Sequence, residues 1–400
     1  MEPTTPRGTV DTGAKRLTVS PAKEENVFLA IRDIRFAKGR FALMGGVVAL
    51  ITLLLVMLSG LTAGLGNQST SSIAQLGAAD AHGTAGPVDT IAFGAAGTGD
   101  PEASFTDSSI TAGQVGDWAR QDGVARAEAL GISQSRLQAG NAGHAGGTTN
   151  VAVFGVDPAG RLAPAPVDAD SVVLSRTAAG DLGVAPGATV TLGGTELTVG
   201  DIVDDQWYSH TSVVWTALPT WSAIAHLADP GQVGTVAAIT YDDGATVDEA
   251  AANQAAHTVS TSRTGAFRAL GSYQSENGSL LMMQAFLYGI SALVIVAFLT
   301  VWTVQRTRDV AVLKALGGSG GYILRDAITQ AAIVLLLGAG IGGAVGIAGG
   351  FLAAQAAPFL VTLQTTLLPI LGIVVLGLAG SALAVRRTTK VDALIALGGN

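Results

Sequence analysis

The sequence predicts an α-helical membrane protein with four transmembrane helices and one α+β extracytoplasmic domain inserted between helices 1 and 2. Of its 400 residues, 48% are hydrophobic and only 13% are charged, which is too apolar for an ordinary soluble chain. Four long runs contain no Asp, Glu, Lys or Arg, and helices of that length span the roughly 30 Å core of a bilayer. Between the first two runs, apolar residues alternate with a period of two, which is typical of strands. The four runs are residues 41–65, 280–304, 327–353 and 358–385.

The positions of Lys and Arg predict the orientation in the membrane. Residues 1–40 contain eight basic residues, whereas residues 66–279 contain seven, all Arg, against 22 acidic residues. Positively charged segments stay on the cytoplasmic side. We therefore expect both termini and the segment 305–326 in the cytoplasm, residues 66–279 outside, and a multi-pass protein of the cytoplasmic (plasma) membrane.

The N-terminal part of the chain predicts an arm, a surface helix and a membrane anchor. Residues 1–25 lack apolar periodicity and indicate a disordered cytoplasmic arm. Residues 26–40 place Val and Ile on one helical face, which favours an interfacial amphipathic helix, with a plain basic flank as the alternative. The run 41–65 is expected to be a retained span, because it is too long for a signal peptide and follows a long polar segment.

The external segment 66–279 is predicted to form one small α+β domain. A helix is expected near 112–121, around a tryptophan, and another over 247–257. Gly193-Gly194 lies between two short apolar runs and predicts a hairpin turn. The predicted strands are residues 151–156, 171–175, 189–192, 196–199, 212–216 and 236–241.

The third span carries a glycine at every fourth position from Gly338 to Gly350. These glycines fall on one helix face and predict a groove in which another helix lies backbone to backbone. The fourth span leads into residues 386–400, which are predicted to be a cytoplasmic tail.

Residues 305–326, here named the coupling segment, separate the second and third spans and must lie at a membrane face. As a helix, the segment carries an apolar stripe that includes Leu313 and Leu316, and the glycines of 317–321 end it. A short surface helix between two spans can be pushed by something outside the chain and can move both spans. A simple loop is the alternative.

The sequence contains no motif for an enzyme. It has no GxxxxGK[ST] loop for ATP, no HExxH or GxSxG motif, and no cysteine. Its five histidines are scattered through the external segment without metal-ligand spacing. We expect no catalytic residue, no intrinsic cofactor, no resident metal and no nucleic acid partner. Because the spans also lack buried charges for ion coupling, energy for transport must come from another subunit.

The coupling segment resembles that of the MacB/FtsX-like (type VII) ABC transporter permeases. Arg306 and Arg308 match the basic residues at which the family's segment begins, and Asp309 stands where the family usually has Glu. Residues 314–317 match its Lys-Ala-Leu-Gly core. Residues 183–203 are similar to an external element of that family. Residues 390–394 resemble its basic ending, although Ala393 replaces the usual Pro. Four spans with a large external domain after the first also agree with this family.

The resemblance implies a bacterial permease that works as a homodimer with two copies of a separate ABC ATPase subunit. ATP would be bound by that partner, whose closure would push the coupling segment and transmit motion to the external domain. The chain itself would not be an enzyme. The residues implied in ATPase coupling are Arg306, Arg308, Asp309, Leu313, Lys314, Leu316 and Gly317.

Within the family, the entry to the first span and the exit from it, residues 59–69, look most like the heme-efflux permeases, and the Trp207–His210 stretch is a further similarity. Heme is a flat apolar ring that partitions into lipid, and its iron accepts Met, Tyr, His or Glu ligands. A pocket at the dimer interface could hold it, with an Arg on the propionates. Ordinary packing at the membrane boundary is the alternative for each residue. The candidate heme-binding residues are Met57, Met282, Met283, Phe286, Tyr288, Glu276 and Arg268.

Two other functions fit the same machinery. One is an FtsX-like regulator that transmits force to a cell-wall hydrolase and carries nothing. The other is an exporter of a lipid, a lipoprotein or an antimicrobial peptide.

Overall fold

The computed structural model describes residues 38–78, 86–97, 99–140, 147–227, 229–305 and 320–388. The predicted arm, most of the interfacial helix, residues 306–319 of the coupling segment and residues 389–400 of the tail lie outside these ranges. The chain divides into two compact units. The helical unit comprises Met1–Met57, Phe286–Ala348 and Thr366–Asn400, and the sheet unit comprises Leu58–Ala285 and Gly349–Thr365.

The described residues form eight α-helices and twelve strands. The helices are α1 (Lys38–Ala74), α2 (Ala112–Ala119), α3 (Arg176–Leu182), α4 (Leu218–Ala225), α5 (Glu249–Ala256), α6 (Gly271–Gln305), α7 (Gly320–Ala353) and α8 (Leu363–Thr388). The strands are β1 (Thr90–Phe93), β2 (Ile110–Thr111), β3 (Val124–Ala139), β4 (Thr148–Val156), β5 (Ser171–Ser175), β6 (Thr189–Leu192), β7 (Thr195–Val203), β8 (Trp207–Tyr208), β9 (Thr211–Ala217), β10 (Gln232–Gly234), β11 (Val236–Tyr241) and β12 (Val259–Ser262).

Four of the described helices are long and apolar enough to cross a membrane, namely α1, α6, α7 and α8. Together with the mixed sheet inserted between the first two, they confirm the predicted fold class. Three of these helices are longer than their charge-free runs, and α7 begins seven residues before its run, at Gly320. Helix α1 continues to Ala74 and α6 begins at Gly271, because an α-helix does not end where its side chains become polar.

The glycine groove predicted on the third span is filled by α1. A Cβ on Gly338 would lie 2.8 Å from the Gly45 carbonyl oxygen, and one on Gly342 would overlap the Ala49 carbonyl. The two helix backbones therefore touch at these positions, as in membrane helix pairs joined through small residues. Gly350, the last of the series, faces Phe359 instead.

Apolar side chains from all four helices meet in the interior of the helical unit. Leu335 of α7 and Ile373 of α8 are fully buried there, and Val48 of α1 and Ile295 of α6 are nearly so. Thr52, also fully buried, satisfies its hydroxyl by donating to the Val48 carbonyl oxygen at 2.8 Å. A polar group in such a place must find a partner inside the helix, because lipid offers none.

Ten of the strands in the sheet unit join one sheet, with neighbours in the order β12-β1-β11-β3-β4-β9-β5-β7-β6 and with β8 beside β9. The β4–β9 and β5–β7 pairs are parallel, and the others are antiparallel. The sheet also closes on itself, because residues 137–139 of β3 pair with residues 190–192 of β6. The six strands that lie between these two ends in the sheet order (β3, β4, β9, β5, β7 and β6) thus form a small barrel.

Strand β3 is long enough to serve two structures. Its first half, from Val124 to Leu130, pairs with β11 and extends the sheet to β1 and β12. Its second half pairs with β4 on one side and with β6 on the other, which closes the barrel. The fully or almost fully buried Phe154, Trp215 and Leu130 belong to one core of this unit.

Several predicted elements are confirmed. The Gly193-Gly194 turn joins β6 and β7 with φ values of 56° and 90°, both in the region that favours glycine. Helix α2 buries Trp118 completely, and its Thr111–Gln114 capping box fixes where the helix begins. Six strands (β1, β2, β3, β8, β10 and β12) and two short helices (α3 and α4) were not predicted from the sequence.

The helix contact at Gly342 generates a prediction. Gly342→Ala should destabilise the helical unit by about 1–3 kcal/mol, because the added methyl group meets the Ala49 backbone. Gly340→Ala is the matched control, since a Cβ there meets nothing within 4 Å and alanine is the better helix former. Thermal unfolding in detergent should show a lower midpoint for the first variant and an equal or higher one for the second. Equal midpoints for both variants would contradict the packing described above.

Candidate functional site

The residues implied in ATPase coupling, from Arg306 to Gly317, lie outside the described part of the chain. The structure places the flanks of their segment: α6 ends at Gln305 and α7 begins at Gly320. Asp326, near the start of α7, accepts a hydrogen bond from the Gln330 amide at 3.0 Å. The roles of the coupling residues therefore stay predictions.

Polar side chains in the sheet unit join α1 to α6. His210 Nε2 lies 2.9 Å from Glu276 Oε2 on α6 and 3.1 Å from Ser69 Oγ on α1. Farther along both helices, the Gln284 amide donates to the Thr62 hydroxyl at 2.9 Å. Two hydrogen-bonded positions thus hold the helices side by side.

The arrangement around His210 determines its tautomer. An unprotonated Nε2 would direct its lone pair at the Glu276 carboxylate, which offers only acceptors at this distance. We therefore assign the ring proton to Nε2, which donates to Glu276. The side chains of His210 and Glu276 are 31% and 43% exposed, so water reaches the pair. Nothing in the sequence around His210 indicated Glu276 as its partner.

Other predicted heme-binding residues of the sheet unit are accessible. Met282 and Met283 are 62% and 49% exposed on α6, and Arg268 is exposed on the short 3₁₀ helix Gly265–Ala269. Glu276 and Met283 lie seven residues apart on α6 and therefore face the same direction, whereas Met282 points about 120° away from that face. Glu276 and Met283 are the pair of candidates that one helix face brings together.

The candidates in the helical unit do not share one face. Phe286 is 66% exposed, while Tyr288 is partly buried and packs beside Gly372 of α8. Because the two residues are two positions apart on α6, their side chains point about 160° away from each other. Met57 of α1 is partly buried. Within a single chain, Phe286 and Tyr288 cannot line one pocket.

A second polar cluster, between α5 and the sheet, is fully paired. The Tyr241 hydroxyl donates to Glu249 Oε1 at 3.0 Å, and the Ser260 hydroxyl donates to Glu249 Oε2 at 2.8 Å. Burial raises the pKa of Tyr241 to about 12. Because both carboxylate oxygens accept hydrogen bonds, this cluster is explained by its structural role in joining α5 to the sheet.

Among the described residues, no group of three or more His, Asp or Glu side chains is arranged to hold a metal ion. The candidate site therefore consists of the accessible Met and polar residues of α6 together with the His210 contact.

Family models match most of the chain. Residues 25–256 match the MacB-like periplasmic core domain, and residues 281–393 match the FtsX-like permease C-terminal domain. The first match alone covers more than half of the sequence. The first match covers the first span and most of the inserted domain, and the second covers the region of the other three spans.

Curated relatives agree with these matches. A relative named as a hemin transport system permease protein, HrtB, of Staphylococcus epidermidis is 29% identical over 130 residues, which cover 32% of this chain. The match spans only 37% of that relative's length. Over nearly the whole chain, an uncharacterized ABC transporter permease of Mycobacterium bovis is 25% identical across 389 residues, covering 93% of this chain and 99% of the relative.

Two solved structures show weak similarity. One is the periplasmic region of MacB from Actinobacillus actinomycetemcomitans, with a TM-score of 0.32 and 14% sequence identity. The match covers 44% of this chain and 89% of the MacB chain. The other is the extracellular domain of the transporter YknZ from Gram-positive bacteria, with a TM-score of 0.30 and 12% sequence identity. The match covers 42% of this chain and 89% of the YknZ chain. The assignment rests on the family models: the chain belongs to the MacB/FtsX-like family of ABC transporter permeases.

Proposed function

We propose that this permease removes heme, or an amphiphile like it, from the outer leaflet of the bacterial cytoplasmic membrane. Two copies of the chain work with two copies of a separate ATPase subunit, and both termini lie in the cytoplasm. The observation that carries the choice of substrate is the sequence similarity to hemin transport permeases, limited as it is to 32% of the chain.

The chemistry of α6 supports this substrate. Exposed Met282 and Met283 offer thioethers, and Glu276 on the same face as Met283 offers a carboxylate. Heme iron accepts both kinds of ligand, and the flat ring is compatible with an apolar helix surface. Arg268, exposed nearby in sequence, has the charge that the propionates require.

The energy for export comes from the partner. The sequence has no P-loop of its own, and its spans lack the buried charges that ion-coupled carriers use. The coupling segment lies between α6 and α7, so a motor that pushes it acts on both helices. This mechanism transmits force from the cytoplasm to the external domain without a channel across the membrane.

A hemin titration of the purified permease tests the substrate. We expect a distinct Soret band for the wild type and about tenfold weaker binding in Met283→Ala, which corresponds to the loss of about 1.4 kcal/mol with one iron ligand. Leu281→Ala is the matched control, because Leu281 is an apolar residue of the same helix with 52% exposure and no ligand atom. Hemin affinity should be unchanged in that variant.

Two results would contradict the proposal. Equal losses of affinity in Met283→Ala and Leu281→Ala would mean that hemin partitions onto any apolar surface of the helix. A wild-type permease that gives no hemin spectrum but co-purifies with a cell-wall hydrolase would support the force-transmitting regulator instead.

The coupling segment is tested separately. Leu313→Asp or Leu316→Asp should abolish the stimulation of the partner's ATP hydrolysis by the permease, because a charge is placed in the apolar stripe that the partner grips. Ser319→Asp adds the same charge outside that stripe and should leave the stimulation intact. ATPase assays of the reconstituted complex measure both, and size-exclusion profiles check that each variant is folded. Full stimulation in the Leu313 and Leu316 variants would remove the coupling role.

A further inference from the structure

The turn between β8 and β9 has an unusual backbone. Ser209 and His210 form a two-residue hairpin loop in which both φ angles are positive, 46° and 64°. Such loops favour Asn-Gly, because other residues in this region pay a steric cost. A conformation of this kind persists only where the surroundings hold it, and it is most frequent at functional positions. Just before the turn, the Trp207 N–H donates to Ser71 Oγ at 2.9 Å, which ties the hairpin to α1.

The backbone of the turn is fixed to α1. The Ser209 N–H donates to the Ser69 carbonyl oxygen at 3.1 Å, and the His210 N–H donates to the Gln68 carbonyl oxygen at 3.0 Å. Ser69 and Ser71 of α1 are at most 2% exposed. Water cannot readily reach the partners at Ser69 and Ser71, so breaking those hydrogen bonds would leave buried polar groups without partners.

The contacts of the same turn with α6 are of another kind. They involve side chains alone: His210 Nε2 with Glu276 Oε2 at 2.9 Å, and the hydroxyls of Ser209 and Ser272 at 3.4 Å. The Ser209–Ser272 contact is exposed, and His210 and Glu276 are about one-third exposed or more. Water can satisfy each of these groups after separation, so the contacts are weak individually.

We propose that the Ser209-His210 turn is a latch that stays fixed to α1 and releases α6 at Glu276 and Ser272. The turn is attached more firmly to α1 than to α6, so the two helices separate between the turn and α6. The hairpin then moves with α1, and the start of α6 moves away from the hairpin. The inference concerns the motion of the external helices: it shares Glu276 with the proposed heme site, but it requires no particular substrate.

Hydrogen–deuterium exchange of the full-length permease tests the asymmetry. Glu276→Ala should raise amide exchange over residues 274–280 by about threefold and leave residues 207–212 unchanged, because only the α6 side of the latch is removed. Ser71→Ala should do the reverse and raise exchange in the hairpin. His210→Gln keeps an N–H donor toward Glu276 and should keep α6 closer to wild-type exchange than His210→Ala does. Equal increases in both segments for Glu276→Ala, or none in either, would overturn the latch.

A disulfide lock tests whether release is needed for work. The chain contains no cysteine, and the hydroxyls of Ser209 and Ser272 are 3.4 Å apart, so Ser209→Cys/Ser272→Cys should form one defined bond on oxidation. We expect the oxidised variant to stimulate ATP hydrolysis by the partner at least fivefold less than the same variant after reduction. Thr191→Cys/Glu196→Cys, a cross-strand pair in the β6–β7 hairpin, is the matched control and should show no redox effect.

The outcomes separate the latch from the proposed function. Unchanged stimulation with the bond confirmed by mass spectrometry overturns the latch, as does failure of the bond to form, while the transport proposal stands. If neither the wild type nor the reduced Ser209→Cys/Ser272→Cys variant stimulates an ATPase, the proposed coupling fails, and the exchange experiment alone then decides the latch.

Discussion

Backbone contact between α1 and α7 is the constraint on which the helical unit depends. In lipid, the hydrophobic effect does not drive two apolar helices together, because lipid tails are as apolar as the helices. Close packing holds the helices together instead. Gly338 and Gly342 allow that packing, because a side chain at either position would meet the backbone of α1. The interior of Val48, Leu335, Ile295 and Ile373 forms around the contact and adds dispersion along each helix. The contact makes α1 and α7 one closely packed pair within the helical unit.

The sheet unit solves a different problem, which is how to expose a β structure to water without long free edges. Strand β3 pairs with β4 along one side, and on its other side with β11 and then β6, so the barrel closes. Closure removes most unpaired backbone groups that would otherwise invite another chain. The same unit holds the Ser209-His210 turn against α1 through backbone hydrogen bonds. Its contacts with α6 are made by accessible side chains.

The sequence predicted those features that depend on local residues. Charge-free runs predicted the four spans, glycine spacing predicted the groove, and Gly193-Gly194 predicted its hairpin, since each follows from residues close together in the chain. Strand β3 was missed because its sequence, VARAEALGISQSRLQA, contains Ala, Glu, Leu, Arg and Gln, which favour helices. Only its pairing with distant strands makes it extended. His210 was undervalued for the same reason: Glu276 lies 66 residues away in the sequence, and no local pattern joins them.

The first and last strands of the inserted domain are neighbours, with Thr90 opposite Ser262. The chain therefore leaves its helical scaffold and returns to it at one sheet edge. An insertion whose ends meet can fold as a separate body and can be lengthened, trimmed or exchanged without altering the helices that carry it. One set of membrane helices can in this way carry external domains of different size and surface.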